Sequence, residues 1–571
     1  MMALCAFALL GGLSLHAQVS AGNGGILGTV TDPSGAVVAN AKVTATNTDT
    51  GVQTTRLTNK AGNYSIPQLQ AGTYNVEVVA KGFQRLLQEN VIVDSAQTVG
   101  LPLKLSVGGA ETTVTITDAP PFLDTTNATM GATIENQLYT QLPLSMSGTP
   151  RDPTSFQYLM PGVQENPANA TGQGSNNGNS GIYGGTGQTN LNENYIDGIP
   201  VNNAAQGGSS VSISNAVSVD AVDQFSVQTS GSSTAFGGAG VTNYTIRSGG
   251  NQFHGTVYDY IRNTMFDTWG YFAKVPSAAG YATKPGEHQN EYGGSLSGPI
   301  IKDKLFFFGT YEGYHYTKNS NEPQYITIPT MINRVGNFTD EFGTGAPGIW
   351  DSSINTSRPA FQGILNGVPT YNVIPQSEIS PIAQYLQTAL PAPNNLSTVD
   401  NYLSGLPLEN RDYRIDARLD YTLSAKNKLS IVGVAGTDGY GDEPDYSTLQ
   451  QLPIPYAAGV YTSQKSASGI ITDTYVITQT MINSLKYGYT RFWGETFNPS
   501  LRTKYSSAKA GIQNIPLGQA SDTMPNISFT QGESTSATPP ANWSSTASSG
   551  PQASNTYTLV DNLQWIKGRH N

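Results

Sequence analysis

Charged residues are scarce in this sequence. Only 12% of the 571 residues are Asp, Glu, Lys or Arg, and the acidic ones outnumber the basic ones to give a net charge of −11. Proteins that bind nucleic acids carry basic stripes that neutralise phosphates, so the composition predicts no nucleic-acid partner. Cysteine is nearly absent. The single one, Cys5, lies in a segment that we expect to be removed, and the mature chain would then hold no disulfide and no thiolate metal site.

Long hydrophobic runs are missing as well. After the first 17 residues, no segment reaches the ~18 apolar residues of a transmembrane helix. The chain could therefore enter a membrane only as a closed barrel of strands. The first apolar run, residues 3–15, leads into Leu15-His16-Ala17, a small-residue cleavage pattern. We therefore expect residues 1–17 to be a signal peptide for export.

Residues that build catalytic centres are also few. The histidines after the signal segment are His254, His288, His315 and His570, and they lack the spacing of metal ligands. The sequence has no Gly-Lys pair for a phosphate-binding loop and no Gly-x-Ser-x-Gly nucleophile motif. We therefore predict no catalytic residue, no cofactor and no metal site, and a protein that is not an enzyme.

Glycine and tyrosine, in contrast, are abundant, with 62 and 30 residues. This composition favours short strands joined by polar turns, and no long stretch has helical periodicity. Residues 24–107 alternate strand-like runs with turns such as Asp32-Pro33-Ser34-Gly35, a pattern typical of an antiparallel β-sandwich. The string GTVTDPSGAVVANAKV…TNKAGNYSIPQLQAGTYNVEVVAKGF resembles the carboxypeptidase regulatory-like domain. No peptidase chemistry follows, because residues 24–107 contain no histidine for a zinc site.

Residues 108–121 open with Gly-Gly and close with Pro-Pro, which indicates a linker. Its alternating Thr/Val run can add as a strand to the exposed sheet edge of a partner, although an ordinary short strand has the same pattern. Outer-membrane receptors that depend on TonB carry their TonB box at this place, and the run resembles one. The resemblance implies that the periplasmic C-terminal domain of TonB contacts Glu111, Thr112, Thr113, Val114, Thr115, Ile116 and Thr117.

Residues 122–250 resemble the plug domain in the Oar-like branch of TonB-dependent receptors, through LPLSMSGTPRDPTSFQYLMPGV at 142–163 and NYIDGIPV at 194–201. In the second motif an Asp-Gly pair joins two strands, and such a pair supplies the positive φ of a tight hairpin. We therefore assign Asp197 and Gly198 a folding role and no ligand contact. The Gly-, Asn- and Ser-rich stretch 164–192 cannot bury a core, so it is predicted to be a loop, with ligand contact as a hypothesis.

Residues 251–571 have strand patterns that suit a barrel. We predict about eight strands, near 252–263, 290–301, 304–316, 411–423, 427–436, 465–477, 481–493 and 553–567. The fourth has an apolar face and a charged face that carries Arg414, Asp416, Arg418 and Asp420. Four alternating charges favour a polar lumen that faces a plug or a neighbouring strand. Ion pairing within the barrel explains Asp416 and Asp420 better than acid–base chemistry does.

The predicted turns are short at one end of the strands and long at the other, which is typical of an outer-membrane barrel. A barrel that holds a plug has about 22 strands, so residues 251–571 would be its first part. We expect an open reading frame that stops mid-barrel. One alternative is that this truncation leaves the chain without function.

The predicted fold class is mainly β: an N-terminal β-sandwich, a plug domain and the first part of a large antiparallel transmembrane β-barrel. The resemblance implies a TonB-dependent receptor in the outer membrane of a Gram-negative-type bacterium. It would take up a large or scarce solute with energy delivered through TonB. Its expected partners are TonB, outer-membrane lipid and an unidentified extracellular ligand. The other hypotheses are a surface adhesin or carbohydrate-binding protein without transport activity, and a secreted hydrolase, which the missing catalytic site disfavours.

Overall fold

The structure is a computed structural model that describes most of the chain from residue 22 to residue 565. The described residues are 22–95, 97–108, 113–117, 130–136, 150–151, 153, 163–164, 181–182, 192–201, 217–230, 240–268, 286–318, 325–350, 360–403, 408–437, 452–456, 461–478, 480–518, 522–529, 543 and 549–565. The predicted signal peptide 1–17, most of the predicted loop 164–192, and Glu111 and Thr112 lie outside them.

The described residues from 22 to 117 form nine strands. They are β1 (Gly24–Thr31), β2 (Lys42–Asn47), β3 (Gln53–Leu57), β4 (Asn63–Leu69), β5 (Gly72–Val79), β6 (Arg85–Val93), β7 (Thr98–Gly100), β8 (Leu103–Lys104) and β9 (Thr113–Ile116). One sheet has the order β4-β1-β7, with β8 also paired to β1, and the other has the order β3-β2-β5-β6-β9. Buried apolar residues from both sheets, such as Ile26 and Val76, share one core. We call this unit the N-terminal sandwich.

Side-chain hydrogen bonds form the turn after β1. The Asp32 carboxylate accepts hydrogen bonds from the backbone N–H groups of Ser34 and Ala36, each at 2.9 Å. The Ser34 hydroxyl donates a third hydrogen bond, which is the largest cause that lowers the pKa of the exposed Asp32 carboxyl below its ordinary value. Gly35 completes the turn with a φ of 88°, a left-handed conformation that glycine adopts without steric cost. The residues predicted to form this turn therefore form it.

The pairing of this sandwich is not fully antiparallel, and that part of the prediction is wrong. β1 runs parallel to β7 and β8, and β6 runs parallel to β9. Parallel strands cannot be joined by a tight turn and need a long connection. Turn signals therefore predict the hairpins but carry no information about these three pairings.

The described residues between 130 and 246 form seven strands. They are β10 (Met130–Glu135), β11 (Val163–Gln164), β12 (Gly181–Ile182), β13 (Asn192–Ile196), β14 (Ile199–Pro200), β15 (Val222–Ser230) and β16 (Gly240–Ile246). Five of them form a sheet in the order β10-β15-β16-β13-β14, and β11 pairs with β12. Every residue of the central strand β16 is buried, as expected for a strand covered on both faces. We call strands β10–β16 the plug.

The described residues from 254 to 565 form twelve further strands and two short helices. The strands are β17 (His254–Asn263), β18 (Glu287–Ile301), β19 (Leu305–Lys318), β20 (Tyr325–Ile326), β21 (Gln362–Leu365), β22 (Val368–Tyr371), β23 (Tyr402–Leu403), β24 (Leu408–Ser424), β25 (Asn427–Thr437), β26 (Tyr461–Thr478), β27 (Met481–Phe497) and β28 (Ser549–Trp565). The helices are α1 (Thr339–Phe342) and α2 (Pro381–Leu386). No helix of the described residues has the length and apolar character to cross a membrane.

Eight of these strands form one antiparallel sheet, in the order β17-β18-β19-β24-β25-β26-β27-β28. We call it the barrel sheet. Each strand begins and ends within four residues of a predicted strand. At one end of the sheet the connections are the short segments 302–304, 425–426 and 479–480. At the other end they are the long segments 264–286, 319–407, 438–460 and 498–548, and the helices and β20–β23 lie in the second of these.

Burial on the barrel sheet is the reverse of burial in a soluble sheet. On β24 the charged residues Asp416 and Arg418 are buried, whereas Ile415 and Leu419 are 45% and 41% exposed. Exposed apolar residues also line β26 and β28, for example Ile471 and Leu559. An apolar outer face and a polar inner face are the arrangement of a strand that meets lipid outside and a lumen inside. With the sandwich and the plug, the barrel sheet confirms the predicted fold class.

Candidate functional site

The inner face of the barrel sheet packs against the plug. Plug residues such as Phe225 and Ile199 share a buried cluster with Phe308, Val432 and Ile470 of the barrel sheet. The four charged residues predicted on β24, namely Arg414, Asp416, Arg418 and Asp420, are all buried on this inner face. Burying an ionised group without a partner is costly, so their contacts decide what they do.

A tight plug hairpin reaches the charged face of β24. Asp197 and Gly198 join β13 to β14, and both have positive φ, at 46° and 80°. Positive φ at both central residues is the geometry of a type I′ turn. The Gly198 N–H donates a 3.0 Å hydrogen bond to the side-chain oxygen of Asn243 on β16. The Asp-Gly pair therefore has the local geometry that we assigned to it.

Asp197 also contacts the barrel sheet, which the assignment of a folding role alone did not include. An oxygen of its carboxylate lies 3.2 Å from a guanidinium nitrogen of Arg418. The same guanidinium contacts the Asp420 carboxylate at 2.8 Å and donates a 2.8 Å hydrogen bond to the Ile246 carbonyl. The Lys486 ammonium on β27 donates a 2.8 Å hydrogen bond to the Asp197 carbonyl. One turn of the plug is thus held by two cations of the barrel sheet.

A second buried cluster, absent from our predictions, lies around Arg151. This residue precedes β11 and forms an ion pair with Glu291 of β18. Glu312 of β19 lies 3.7 Å from Arg151 and 3.1 Å from Arg414, and Arg414 donates a 2.6 Å hydrogen bond to the Arg151 carbonyl. The Arg151 guanidinium also lies 4.0 Å from the centre of the Tyr260 ring, within cation–π range. Two arginines and two glutamates balance in charge.

Part of this second cluster could have been predicted from the alternation of polar and apolar residues in the sequence. Glu291 and Glu312 lie on predicted strands, and the test that selected β24, a charge at an inward position, would have selected them. Arg151 lies outside the regular strands, so no periodicity indicates where its side chain points.

The contacts of Asp416 differ from the ion pairing within the barrel that we predicted for it. One of its carboxylate oxygens accepts a 3.1 Å hydrogen bond from the backbone N–H of Ser218 in the plug. The other oxygen is buried and has no hydrogen-bond partner in the described part of the chain. For Asp420, which pairs with Arg418 on its own strand, the predicted pairing within the barrel is found. Asp416 instead joins the barrel sheet to the plug.

The N-terminal sandwich is seated on the plug. The Ser95 N–H donates a 3.0 Å hydrogen bond to the Gln224 side chain, which in turn donates one of 3.0 Å to Asp94. Asn243 donates a further 3.0 Å hydrogen bond to the Ser95 hydroxyl. Ser95, Gln224 and Asn243 are all buried. Buried polar groups that satisfy one another fix the relative position of the two units.

The sandwich also contacts the barrel sheet at the end with the short connections. Asn251 donates hydrogen bonds to the Thr50 carbonyl at 2.8 Å and to Asp303, in the 302–304 turn, at 2.7 Å. Lys428 donates a 3.0 Å hydrogen bond to the hydroxyl of Thr54. Arg56, two positions after Thr54 on β3, is buried, and this burial lowers its pKa to about 10. The sandwich and the long loops therefore lie at opposite ends of the barrel sheet.

The predicted TonB-contact segment is only partly described. Glu111 and Thr112 lie outside the described residues. Thr113, Val114, Thr115 and Ile116 form β9, which pairs in parallel with β6 in the register Arg85 to Thr113 and Gln88 to Ile116. Thr117 follows β9 and is exposed. β9 is the outermost strand of its sheet, and its far edge has no strand partner among the described residues.

Ligand sets for metal ions are also absent from the described residues, where no group of three or more His, Cys, Asp or Glu side chains could hold an ion. The buried carboxylates of the two charge clusters face arginines, whose guanidinium groups stay protonated and charged at ordinary pH. The chemistry of these clusters is therefore electrostatic and holds the plug against the barrel sheet.

Two known protein families match parts of this chain. Residues 245–571 match the family described as outer membrane beta barrel domain. Residues 25–106 match the family described as carboxypeptidase regulatory-like domain. A curated relative, the TonB-dependent transporter Oar of Myxococcus xanthus, is 28% identical over 327 residues. The aligned part covers 55% of this chain and 29% of that protein, so the chain spans less than a third of the relative's length.

Two solved structures are also similar to this chain. The outer membrane transporter YddB from Escherichia coli aligns with 76% of this chain and 45% of its own at 12% identity, with a TM-score of 0.43. The ferric enterobactin receptor PfeA from Pseudomonas aeruginosa aligns with 64% of this chain and 41% of its own at 14% identity, with a TM-score of 0.33. The family matches and the curated relative confirm the resemblance predicted from the sequence motifs. Since the barrel match covers more than half of the chain, this protein belongs to the outer membrane beta-barrel family and resides in the outer membrane.

Proposed function

We propose that this protein is a TonB-dependent outer-membrane transporter that takes up a large or scarce solute with energy delivered through TonB. The relative Oar is named a TonB-dependent transporter. The observation that carries the proposal is the position of β9, an outermost strand at the end of a five-stranded sheet. An open strand edge is a template onto which a partner's strand can add by backbone hydrogen bonding.

The proposed orientation follows from the connections of the barrel sheet. Outer-membrane barrels have short turns on the periplasmic side and long loops outside. The sandwich contacts the short turn at Asp303 through Asn251, so it lies in the periplasm in this orientation. TonB acts from the same side. The open edge of β9 is then within its reach, and the long loops face the extracellular ligand.

Force applied to β9 has a contact route to the plug. β9 pairs with β6 in the sandwich, and the sandwich holds the plug through Ser95 and Gln224. The plug is held in turn by Arg418 and Arg414. In this mechanism TonB pulls on the sandwich side, and the charge clusters are the contacts that must give way before a solute can pass.

The unit boundaries are part of the same proposal. They are a signal peptide at 1–17, the sandwich at 24–107, a linker at 108–121, a plug domain at 122–250 and a partial barrel of about eight strands at 251–571. The proposed partners are TonB, outer-membrane lipid on the apolar face of the barrel sheet, and an extracellular ligand. No catalytic step is part of the mechanism, since energy arrives through TonB.

Binding of the TonB C-terminal domain to the full chain in detergent micelles tests the proposal. The double variant Val114→Gly and Ile116→Gly is expected to weaken binding at least about tenfold, because glycine disfavours the strand that TonB must extend. The matched control is Ile364→Gly with Val368→Gly, which removes the same two residue types from the exposed loop hairpin β21–β22. Absence of binding to the unmodified chain, or an equal loss in both variants, would overturn the proposal. A surface adhesin would bind no TonB.

A further inference from the structure

A cavity of about 520 Å³ lies among the long loops. We call it the loop cavity. Its wall is mainly apolar and includes Ile328, Ile382, Leu386, Phe529 and Trp543. Cavities of this size and character are typical of small-molecule sites. None of the residues that line it belongs to the plug, so it is separate from the charge clusters described above.

The wall of the loop cavity is held by packing within the loops. Ile527 and Trp543 pair through two backbone hydrogen bonds, of 3.0 and 2.9 Å. The Trp543 ring meets the rings of Tyr456 and Phe529 edge-on, with centroids 5.3 Å away in each case. Leu386 and Ile328 belong to the same buried cluster. A side chain fixed on several sides presents its polar atom in a defined position, so the wall is formed before any ligand enters.

Two polar atoms of the wall lack partners. The indole N–H of Trp543 and the side-chain oxygen of Asn333 are buried without a hydrogen-bond partner in the described residues. Trp543 is 5% exposed and Asn333 is 7% exposed, and both residues line the loop cavity. Buried polar groups nearly always have partners. One unmatched donor and one unmatched acceptor in the wall of a single cavity therefore indicate a ligand that supplies the complementary pair.

A carboxylate lies beside the unmatched acceptor. Glu341 of α1 also lines the loop cavity and accepts a hydrogen bond from the Asn333 amide nitrogen. Glu341 is exposed as a residue, yet partial desolvation of its carboxyl by the surrounding loops raises the pKa of that group. A cation placed next to it would favour the ionised form. An amino group satisfies both features, because it can donate to the Asn333 oxygen and pair with Glu341.

We propose that the loop cavity binds an amine attached to an apolar or aromatic group, with a hydrogen-bond acceptor next to the amine. The apolar group fills the cavity, the amine meets Asn333 and Glu341, and the acceptor meets the Trp543 N–H. This chemistry occurs at the amino end of a peptide with a hydrophobic first residue and in free aromatic amines. The inference rests on the proposed function, for which it names the class of solute that the outer loops recognise.

Calorimetric titration of the full chain in detergent micelles with L-phenylalaninamide tests the inference. N-acetyl-L-phenylalaninamide keeps the ring and the carbonyl but has no free amine, and it is expected to bind at least about tenfold more weakly. Glu341→Gln is expected to weaken the binding of L-phenylalaninamide by a similar factor. Trp543→Phe is expected to weaken it by about fivefold, since the aromatic ring remains but the N–H is lost. The tripeptide Phe-Ala-Ala distinguishes the sources. If the tripeptide binds more tightly than L-phenylalaninamide, the natural ligand is a peptide; if it binds more weakly, the natural ligand is a free amine.

Trp350→Phe is the matched control, because Trp350 is 52% exposed and does not line the loop cavity. Equal binding of the acetylated probe, an unchanged affinity in both Glu341→Gln and Trp543→Phe, or no heat with any probe would overturn the inference. TonB binding measured on the same preparations separates the two proposals. A chain that binds TonB but none of the amines refutes the loop cavity alone.

Discussion

Arg418→Met is expected to weaken the attachment of the plug hairpin to the barrel sheet by about 3–5 kcal/mol, the usual cost of removing one partner of a buried ion pair. Arg418 is the cation that faces both Asp197 and Asp420. Without it, two buried carboxylates lose their guanidinium, while methionine keeps most of the apolar volume. Hydrogen–deuterium exchange of residues 192–200 in the full chain is expected to rise at least about 100-fold.

Arg411→Met is the matched control for this prediction. Arg411 lies on the same strand and pairs with Glu409, but its side chain is 55% exposed. Exposed pairs contribute about 1 kcal/mol or less, so exchange in residues 192–200 is expected to stay unchanged. If Arg418→Met left this exchange at the level of the control, the buried pair would not hold the plug, and that part of the mechanism would be wrong.

Proline at Val114 and proline at Thr115 are expected to have different effects, one on TonB binding and the other on the sandwich. In a parallel ladder a residue directs its N–H and C=O to one neighbour, and the next residue directs them to the other side. One of the two prolines therefore removes a donor from the open edge of β9, and the other removes a donor that faces β6. The variant that loses the open-edge donor is expected to bind TonB at least about tenfold more weakly, while amide exchange in β6 stays normal.

The variant that loses the donor facing β6 is expected to raise amide exchange in β6. It disturbs the pairing of Leu86 with Val114 and of Leu87 with Thr115. Lys81→Pro serves as control. Lys81 is the second residue of a turn closed by a 3.2 Å hydrogen bond from the Phe83 N–H to the Ala80 carbonyl, where proline is favoured. Biolayer interferometry with the TonB C-terminal domain measures the affinities. Equal affinities in all three variants would contradict the assignment of the open edge.

The local structure of this chain could be predicted because its signals are local. Alternation at a period of two located the strands of the barrel sheet, and the Asp197-Gly198 pair located the plug hairpin, since both depend on neighbouring residues. The face of β24 that carries Arg414 and Arg418 could be recognised for the same reason. These features need no knowledge of which segments meet in space.

The partners of these residues could not be predicted, because they are distant in sequence. Arg151 and Glu291 are separated by 140 positions, and no pattern within either segment names the other. The same holds for β9, whose alternating sequence suits any sheet edge, whereas its pairing with β6 depends on how the linker returns to the sandwich. For Asp416, the sequence suggested ion pairing within the barrel, and the structure places the backbone N–H of a plug residue, Ser218, beside it.

The central claim, that TonB engages the open edge of β9, is tested most directly by disulfide crosslinking in cells. The background is Cys5→Ala, which removes the single native cysteine, and TonB carries single cysteines along its C-terminal domain. Cysteine at Thr113 or Thr115 is expected to crosslink to TonB. Cysteine at Gln53, on β3 at the opposite edge of the same sheet, is expected not to. Crosslinks at Gln53 with none along β9, or none at either edge, would contradict the account.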